Sequence, residues 1–541
     1  MANVEEGVSV ISVGRTTPVP AGQTTSAKSL PVVVASDQTP VPILDNLSAP
    51  SQVRDDLLGF PRVQTPLAIF DDTNLLDIDQ NIWATNEQVT ANVKVTQVNH
   101  LLEQSAAECR LKVGAANGNV ASLITKQAFP YQTGRVTCAS FGVALSTDSS
   151  AALEFGMFDG SDGYFLRVVG GAVPSLFYVR RTSSGERPSD HLNGYTAQGA
   201  DPTTFTVDAA VMTAQPNRTD EGTIYKLISS SPNVMEEIVP RKYWNGDRMV
   251  GEDGASLVGE NDTKSAHKLS LTNLCMARIE YGWYGGTGSR LMFFVPEDAN
   301  LNGAVAKNAR WVIAHQLNCS DRIPYPSLGN PTLPMQFRAE KTGTLSADAY
   351  VRKYGAQISI DGGDAEKLSI FSQDGAKVTG ITTNAFKPLL AIRIKELITN
   401  NQGESKRNLL RVFPLLLSMC GSHRAQFMLV KNPETMTDAT TTPVTTFTSS
   451  GTLAAIEFNS PDSSTNAIAA FTGGEQLASF YTGDADATTQ SLTDIFSYAR
   501  QYLTREATAS TGTAGDVLVI AARSIENTNN TCKASLTWGQ R

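Results

Sequence analysis

The chain has 541 residues, of which 41% are hydrophobic and 18% are charged, and its formal net charge is −9. This length exceeds one ordinary core and predicts two or three domains. The mild negative charge argues against a nucleic-acid partner, which would require a basic patch, and the longest apolar run is too short for membrane insertion.

Residues 1–66 form the first predicted segment, which holds eight of the chain's 25 prolines. Proline cannot donate to a β-ladder, so this segment is not expected to fold into a core of its own. One interpretation is a disordered tail. We favour an extended arm that lies along neighbouring subunits, because apolar anchors recur densely between the prolines. The candidate anchors are Val32, Val33, Val34, Val41, Ile43 and Leu44.

Residues 67–361 are predicted to form a larger β-sandwich. Its clearest signal is the meander from Leu153 to Arg181, in which apolar and polar residues alternate with a period of two. The Asp-Gly-Ser-Asp-Gly stretch at 159–163 supplies the tight connection between the first two strands. Further short alternating runs with turn signals between them predict antiparallel sheets of the sandwich or jelly-roll kind.

Residues 362–384 are predicted to be a polar connector or a short hairpin, and residues 385–541 a smaller β-sandwich. One short helix is expected at 492–506, where apolar residues recur at helical spacing. The threonine-rich run at 437–448 is expected to be an exposed loop. The predicted fold is therefore all-β, with two antiparallel sandwich domains that follow the arm.

The sequence contains no phosphate-binding glycine loop, no zinc-protease motif and no nucleophile elbow. Its five histidines and six cysteines are scattered singly, which predicts no metal ligands, no cofactor and a chain assembled in a reducing cytoplasm. No basic and apolar leader precedes the arm, so no signal peptide is expected. On this basis we predict that the protein is not an enzyme.

Acidic pairs leave two alternatives open. Asp159 with Asp162, Glu236 with Glu237, and Asp247 with two acids after it would suit the two carboxylates that flank a glycosidic bond. Turn chemistry is the favoured interpretation for the aspartates, since they lie beside glycines. The loop at 159–163 would also suit a calcium ion, which prefers clustered oxygen ligands.

Two pairs of aromatic residues are the candidate glycan contacts. They would form a stacking platform for sugar rings if exposed, whereas strand and turn aromatics are commonly core residues or interface anchors. The four residues are Tyr243, Trp244, Trp283 and Tyr284.

Several short motifs resemble those of structural proteins of tailed-bacteriophage virions. They include the arm sequence SLPVVVASDQ at 29–38, FPYQTG at 129–134, FDG and GYF at 158–165, WNGD at 244–247 and NPTLP at 330–334. The strand at 517–523 and the last strand, around Trp538, resemble a second module of similar proteins. The resemblance spans nearly the whole chain and implies a virion component, without marking any catalytic group.

These observations predict a structural virion protein of the tail, the baseplate or an attached fibre. It would assemble through its arm with other virion proteins and with copies of itself, as a homo-oligomer such as a trimer. One alternative is a fibre or decoration protein attached to the head or neck. The other, from a different class, is a lectin-like protein that recognises host surface glycan; a glycan depolymerase is a lesser variant.

Overall fold

The structure is a computed structural model of the whole chain. It describes residues 67–72, 78–79, 82–87, 94–98, 108–114, 120–146, 148, 150–170, 175–187, 223–249, 267–282, 285–295, 309–320, 324–361, 368–399, 403, 405–408, 410–450, 454–493, 503, 515–526 and 529–540, with residues 10–11, 19–20, and 57. Two compact units are separated, Met1–Gln52 and Val53–Arg541. The arm anchors Val32, Val33, Val34, Val41, Ile43 and Leu44 lie outside the described residues.

The first unit contributes two short paired strands, β1 (Val10–Ile11) and β2 (Val19–Pro20). In the second unit the first group of strands is β3 (Leu67–Asp72), β4 (Trp83–Glu87), β5 (Lys94–Val98), β6 (Glu108–Val113), β7 (Val120–Thr125), β8 (Thr137–Ser146), β9 (Ala151–Phe158), β10 (Gly163–Val169), β11 (Ser175–Thr182), β12 (Ile224–Ser230), β13 (Asn233–Pro240), β14 (Cys275–Tyr281), β15 (Ser289–Val295), β16 (Arg310–Leu317), β17 (Met335–Lys341) and β18 (Ala349–Ile360). A 3₁₀ turn at Arg241–Tyr243 follows β13.

These strands form two eight-stranded antiparallel sheets, which we call the first and second sheets. The first sheet has the order β12-β13-β11-β10-β9-β17-β7-β4, and the second has the order β16-β15-β14-β8-β18-β6-β5, with β3 also on β18. Side chains of both sheets share one hydrophobic core, in which Phe141 of the second sheet meets Phe155 and Phe337 of the first at 5.5 and 5.8 Å. This pair of sheets is the larger sandwich.

The predicted meander is confirmed. Strands β9, β10 and β11 are antiparallel neighbours, and Tyr164 pairs with Met157 on one side and Arg180 on the other. The alternation places Phe155, Met157 and Tyr164 in the shared core, while Phe158 and Phe165 face away and belong to a second buried cluster. The period of two thus determines the face of the sheet on which each side chain lies.

The remaining strands form the smaller sandwich. They are β19 (Ser369–Asp374), β20 (Val378–Ile381), β21 (Lys387–Ile394), β22 (Leu397–Thr399), β23 (Ser405–Arg407), β24 (Val412–Gly421), β25 (Ala425–Lys431), β26 (Thr435–Thr437), β27 (Thr448–Ser449), β28 (Ile456–Asn459), β29 (Ala470–Thr472), β30 (Glu475–Thr482), β31 (Ala487–Ser491), β32 (Val517–Ser524) and β33 (Asn530–Gln540). The third sheet has the order β19-β33-β24-β31, with β20 on β33, and the fourth has the order β27-β28-β21-β32-β25-β30.

The third and fourth sheets share a core that includes Trp538 from one and Phe427 and Ile520 from the other. The segment 362–384, predicted as a polar connector or a short hairpin, supplies β19 and β20, both paired with β33. Phe371 of β19 stacks on Trp538 at 5.8 Å, and this apolar contact ties the segment to the smaller sandwich. The predicted domain boundaries otherwise stay predictions.

Two further expectations for the smaller sandwich meet different outcomes. Most of the predicted helix, residues 494–502, lies outside the described residues, while Leu492 and Leu503 are both buried in the core. The threonine-rich run is not wholly exposed, because Val444 and Phe447 pack on the outer face of the fourth sheet. The threonine-rich composition of the run gives no indication that Val444 and Phe447 are buried or half-buried.

All six cysteines are free thiols, and five of them are buried, as predicted for small core residues. Burial raises the pKa of Cys138, Cys275 and Cys532 to about 12, so these thiols stay protonated at neutral pH. Within the described residues, no helix has the length and apolar character needed to span a membrane.

Candidate functional site

The outer face of the second sheet, turned away from the core, carries a row of exposed apolar side chains. Trp311 of β16 pairs with Phe294 of β15, and their rings meet edge to face at 5.5 Å. Met276 of β14 is the next member, since its neighbour Ala277 pairs with Phe293. Phe294 is 37% exposed and Met276 44% exposed, which is unusual for such large side chains.

The row continues across two glycines. Met276 pairs with Gly142 of β8, and Gly142 pairs with Gly355 of β18. A Cβ on Gly142 would lie at ordinary contact distances, 3.6 Å from Gly355 N and 3.8 Å from Tyr354 Cβ, so space alone does not require glycine there. Neither position carries a side chain, and the Cβ of Tyr354 is the nearest side-chain atom to the Gly142 position. At about 4.8 Å per strand the five positions span about 19 Å.

A parallel row of polar groups lies one pleat away. Arg278 of β14 pairs with Ser140 of β8, which pairs with the exposed Gln357 of β18. The guanidinium of Arg278 lies 5.7 Å from the centroid of Trp311 and forms an ion pair with Glu280 at 3.0 Å. Aromatic rings beside a few oriented polar groups are the composition of a small-molecule binding surface. We call Trp311, Phe294, Met276, Gly142 and Gly355, with this polar row, the aromatic face.

The aromatic platform predicted from the sequence is not the one that the structure presents. Trp244 is 1% exposed, its ring stacks on Phe293 at 6.2 Å, and its indole N–H donates to the Val239 carbonyl. The condition for that platform, an exposed Trp244, is not met, because β13 and the 3₁₀ turn carry this residue into the core. Tyr243 is half-buried against that core, and Trp283 and Tyr284 lie outside the described residues.

Of the predicted acidic pairs, Glu236 and Glu237 are occupied by arginines. Glu236 and Glu237 are consecutive on β13 and face opposite sides of the first sheet. Glu236 is bound by Arg167 at 2.8 Å and Arg181 at 2.7 Å, and Glu237 by Arg180 at 2.7 Å. Arg167 also reaches Glu154 on β9 at 2.6 Å. All these carboxylates are buried, so the pairing compensates their lost hydration.

These ion pairs set the protonation states. Burial alone would raise the pKa of Glu236, but Arg167 and Arg181 outweigh it and hold the pKa well below its ordinary value. The pKa of Glu154 is lowered against burial by Arg167 and Arg338. Both carboxylates are therefore ionised at neutral pH.

The loop considered for calcium is a hydrogen-bonded turn. Asp159 Oδ1 accepts from the amide groups of Ser161 and Asp162 at 2.7 and 2.8 Å. Asp162 accepts from the amide and hydroxyl of Ser183 and from the amide of Gly329. Burial nevertheless raises the pKa of Asp162. These hydrogen bonds engage Asp159 Oδ1 and both carboxylate oxygens of Asp162, which a calcium ion would need as ligands. The contacts therefore favour the turn interpretation.

One other group of side chains has metal-ligating chemistry. His423, Asp484 and Glu526 lie on three turns of the smaller sandwich, with one ligand atom of each within 4.8 Å of the others. Arg424 forms ion pairs with both carboxylates at 3.8 and 3.6 Å. A cation at this place would have to displace that guanidinium.

No protein-family model matches the chain, and no curated protein matches it. Solved structures similar in fold include a β-glucanase from Bacillus licheniformis, with 8% identity, TM-score 0.26, 55% of this chain and 99% of that chain covered. Lectin II from Ulex europaeus has 8% identity and TM-score 0.24 over 54% and 97% of the two chains. The carbohydrate recognition domain of Emp47p has 13% identity and TM-score 0.24 over 54% and 94%.

At these identities the likeness concerns the fold, and at these TM-scores it carries no argument about what this chain binds or does. The all-β sandwich prediction is confirmed. The prediction that the chain is not an enzyme is not upheld by the comparison, since the similar structures include a β-glucanase. That prediction relied on missing short motifs, whereas glycoside hydrolysis needs only two suitably spaced carboxylates, which no consecutive motif reveals.

The sequence carried one unused signal for the aromatic face. Phe293 and Phe294 are adjacent on a strand, so alternation must send one ring inward and the other outward. The outward ring alone does not define a surface. Its partner Trp311 is identified only by the pairing of β15 with β16.

Proposed function

We propose that this chain binds glycans and that the aromatic face is a binding site. The observation that supports this proposal is the row of half-buried Trp311 and exposed Phe294 and Met276, which continues onto Gly142 and Gly355. A pyranose ring presents an apolar face that packs on aromatic rings, and its hydroxyl groups need donors and acceptors at the edge.

The polar row supplies those groups. Gln357 offers an amide donor and acceptor, Ser140 a hydroxyl and Arg278 a guanidinium, all on the same face of the sheet. A span of about 19 Å would seat a short oligosaccharide rather than one monosaccharide. The ligand class that fits is a neutral oligosaccharide lying flat across the strands.

Replacing Trp311 by alanine is expected to lower affinity at least tenfold, about 1.4 kcal/mol, for an oligosaccharide selected on a glycan array. Phe294→Ala should weaken binding in the same direction, and Trp311→Phe should retain most of it because an aromatic face remains. Isothermal titration calorimetry measures all three. Ile370→Ala removes an exposed apolar side chain from the smaller sandwich and serves as the control. Unchanged affinity in Trp311→Ala would contradict the proposal.

We further propose that the chain is a component of a bacteriophage virion, in the tail, baseplate or an attached fibre. What supports this is the sequence of residues 1–66, where Val32, Val33, Val34, Val41, Ile43 and Leu44 stand between prolines, together with the resemblance of SLPVVVASDQ at 29–38 to virion proteins. An arm of this composition would gain order against other subunits through strand addition and apolar anchoring.

Limited proteolysis tests the role of the arm. In the isolated protein, cleavage is expected before residue 67, and in intact particles the same sites should be protected. The fragment pattern can be mapped by mass spectrometry. Equal cleavage in both samples would contradict assembly through the arm.

A further inference from the structure

The outer face of the fourth sheet carries two arginines of similar build but different charge compensation. Arg393 of β21 stacks over Phe447, with its guanidinium carbon 4.1 Å from the ring centroid, and its Nε donates to Glu457 at 2.7 Å. A second nitrogen of Arg393 lies 2.5 Å from the same carboxylate. Its positive charge is therefore neutralised within the fold.

Arg523 of β32 stacks over Phe386 at 4.8 Å, but its Nε donates to the neutral amide oxygen of Gln426 at 2.7 Å. Gln426 is itself fixed, because its amide nitrogen donates to the hydroxyl of Ser479 at 2.7 Å. Among the described residues, Nε is the one Arg523 nitrogen with a hydrogen-bond partner, and no carboxylate pairs with this guanidinium. The side chain is thus oriented, while no carboxylate in the described part of the chain compensates its charge.

An exposed aromatic residue completes the row. Tyr481 of β30 pairs with Gln426 of β25, and Gln426 pairs with Arg523 of β32, so the three side chains project from neighbouring strands on one face. Tyr481 is 63% exposed. At about 4.8 Å between strands, Tyr481 and Arg523 stand about 10 Å apart.

We propose that this row is a second binding site, which takes a carboxylate-bearing sugar such as a hexuronate within a glycan. The terminal nitrogens of Arg523 would bind the carboxylate in the two-pronged geometry that guanidinium favours. The ring of Tyr481 would pack on the neighbouring sugar. The site lies on a different sandwich from the aromatic face and shares no residue with it. The two proposed binding sites can therefore be tested independently.

The test is calorimetric titration of the full chain with a disaccharide that contains glucuronate, beside its neutral counterpart with glucose in the same position. Trp311→Ala is used as the background, so that the aromatic face does not contribute. We expect binding of the glucuronate disaccharide only, reduced at least tenfold in Arg523→Gln. Gln426→Glu should abolish binding as well, because it would give Arg523 the carboxylate partner that Glu457 gives Arg393.

Arg393→Gln is the matched control, since it removes a stacked arginine whose charge is already neutralised, and its affinity should be unchanged. Thermal melting confirms that each variant is folded, and Gln426→Glu is expected to melt at or above the parent. Equal binding of the neutral disaccharide, or unchanged affinity in Arg523→Gln or Gln426→Glu, would overturn the proposal. So would equally strong binding of acetate, sulfate or a tetraglutamate peptide, since it would show that the sugar plays no part.

Discussion

Replacing Arg180 by methionine is expected to lower the free energy of unfolding of the larger sandwich by about 3–5 kcal/mol. The guanidinium of Arg180 is fully buried between Glu237, at 2.7 Å from Nε, and Glu186, whose carboxylate accepts from both terminal nitrogens at 2.8 and 2.6 Å. Methionine keeps much of the volume but leaves two buried carboxylates without their cation. Urea unfolding followed by tryptophan fluorescence measures the loss.

The control is Arg393→Met in the smaller sandwich. The side chains of Arg393 and its partner Glu457 are 32% and 20% exposed, so solvent screens the pair and its loss should cost no more than about 1 kcal/mol. Adding Glu186→Gln and Glu237→Gln to Arg180→Met should restore part of the lost stability. An equally small effect for Arg180→Met and Arg393→Met would contradict the account of the buried pairs.

The Arg180→Met variant should also change how stability depends on pH. Without the arginine, a larger share of the burial cost of the two carboxylates is left uncompensated, which raises their pKa in the folded state relative to the parent protein. Protonation then relieves the charge that Arg180 compensated, so the deficit should shrink as the pH falls below about 5.

Trp83→Ala is the second substitution with a large expected effect, about 3–5 kcal/mol. The Trp83 ring is buried, meets Phe70 edge to face at 5.6 Å, and donates its indole N–H to Asp72 at 2.7 Å. Lys353 Nζ lies 5.0 Å from the Trp83 ring centroid and 2.5 Å from Asp72. One indole therefore joins β3, β4 and β18, and its removal leaves both a cavity and a lost hydrogen bond.

Trp83→Phe should cost less than Trp83→Ala, since the phenyl ring retains the contact with Phe70 and loses only the indole donor, worth about 1–3 kcal/mol. Trp311→Ala on the aromatic face should change stability by no more than about 1 kcal/mol, because its side chain is half-buried on the outer face rather than in the core. The same urea titration gives all three values. A large destabilisation in Trp311→Ala would mean that the aromatic face serves the fold.

What the sequence predicts well is local. Alternation and the Asp-Gly turn at 159–163 determine the meander from neighbouring residues alone. The burial of Trp244 cannot be predicted locally, because it depends on Phe293, which is distant in the chain and reaches it through the fold. The two strands of segment 362–384 likewise find their partner in β33, far along the chain, and no local pattern indicates that pairing.

The candidate sites are less predictable still. The row of Tyr481, Gln426 and Arg523 joins three strands that are distant in sequence. It can be recognised only when the pairing register of each strand is known. A shift of one residue in any register would turn a member to the opposite face. Side chains that are unremarkable one by one thus become a surface only in three dimensions.

A crystal structure of the chain with an oligosaccharide selected on a glycan array is the most direct test of the proposed function. We predict a sugar ring against Trp311 and Phe294, with further units over Gly142 and Gly355 and hydroxyl groups bonded to Gln357 or Ser140. A sugar bound elsewhere, with the aromatic face covered by a second copy of the chain, would contradict it and identify that face as a subunit contact.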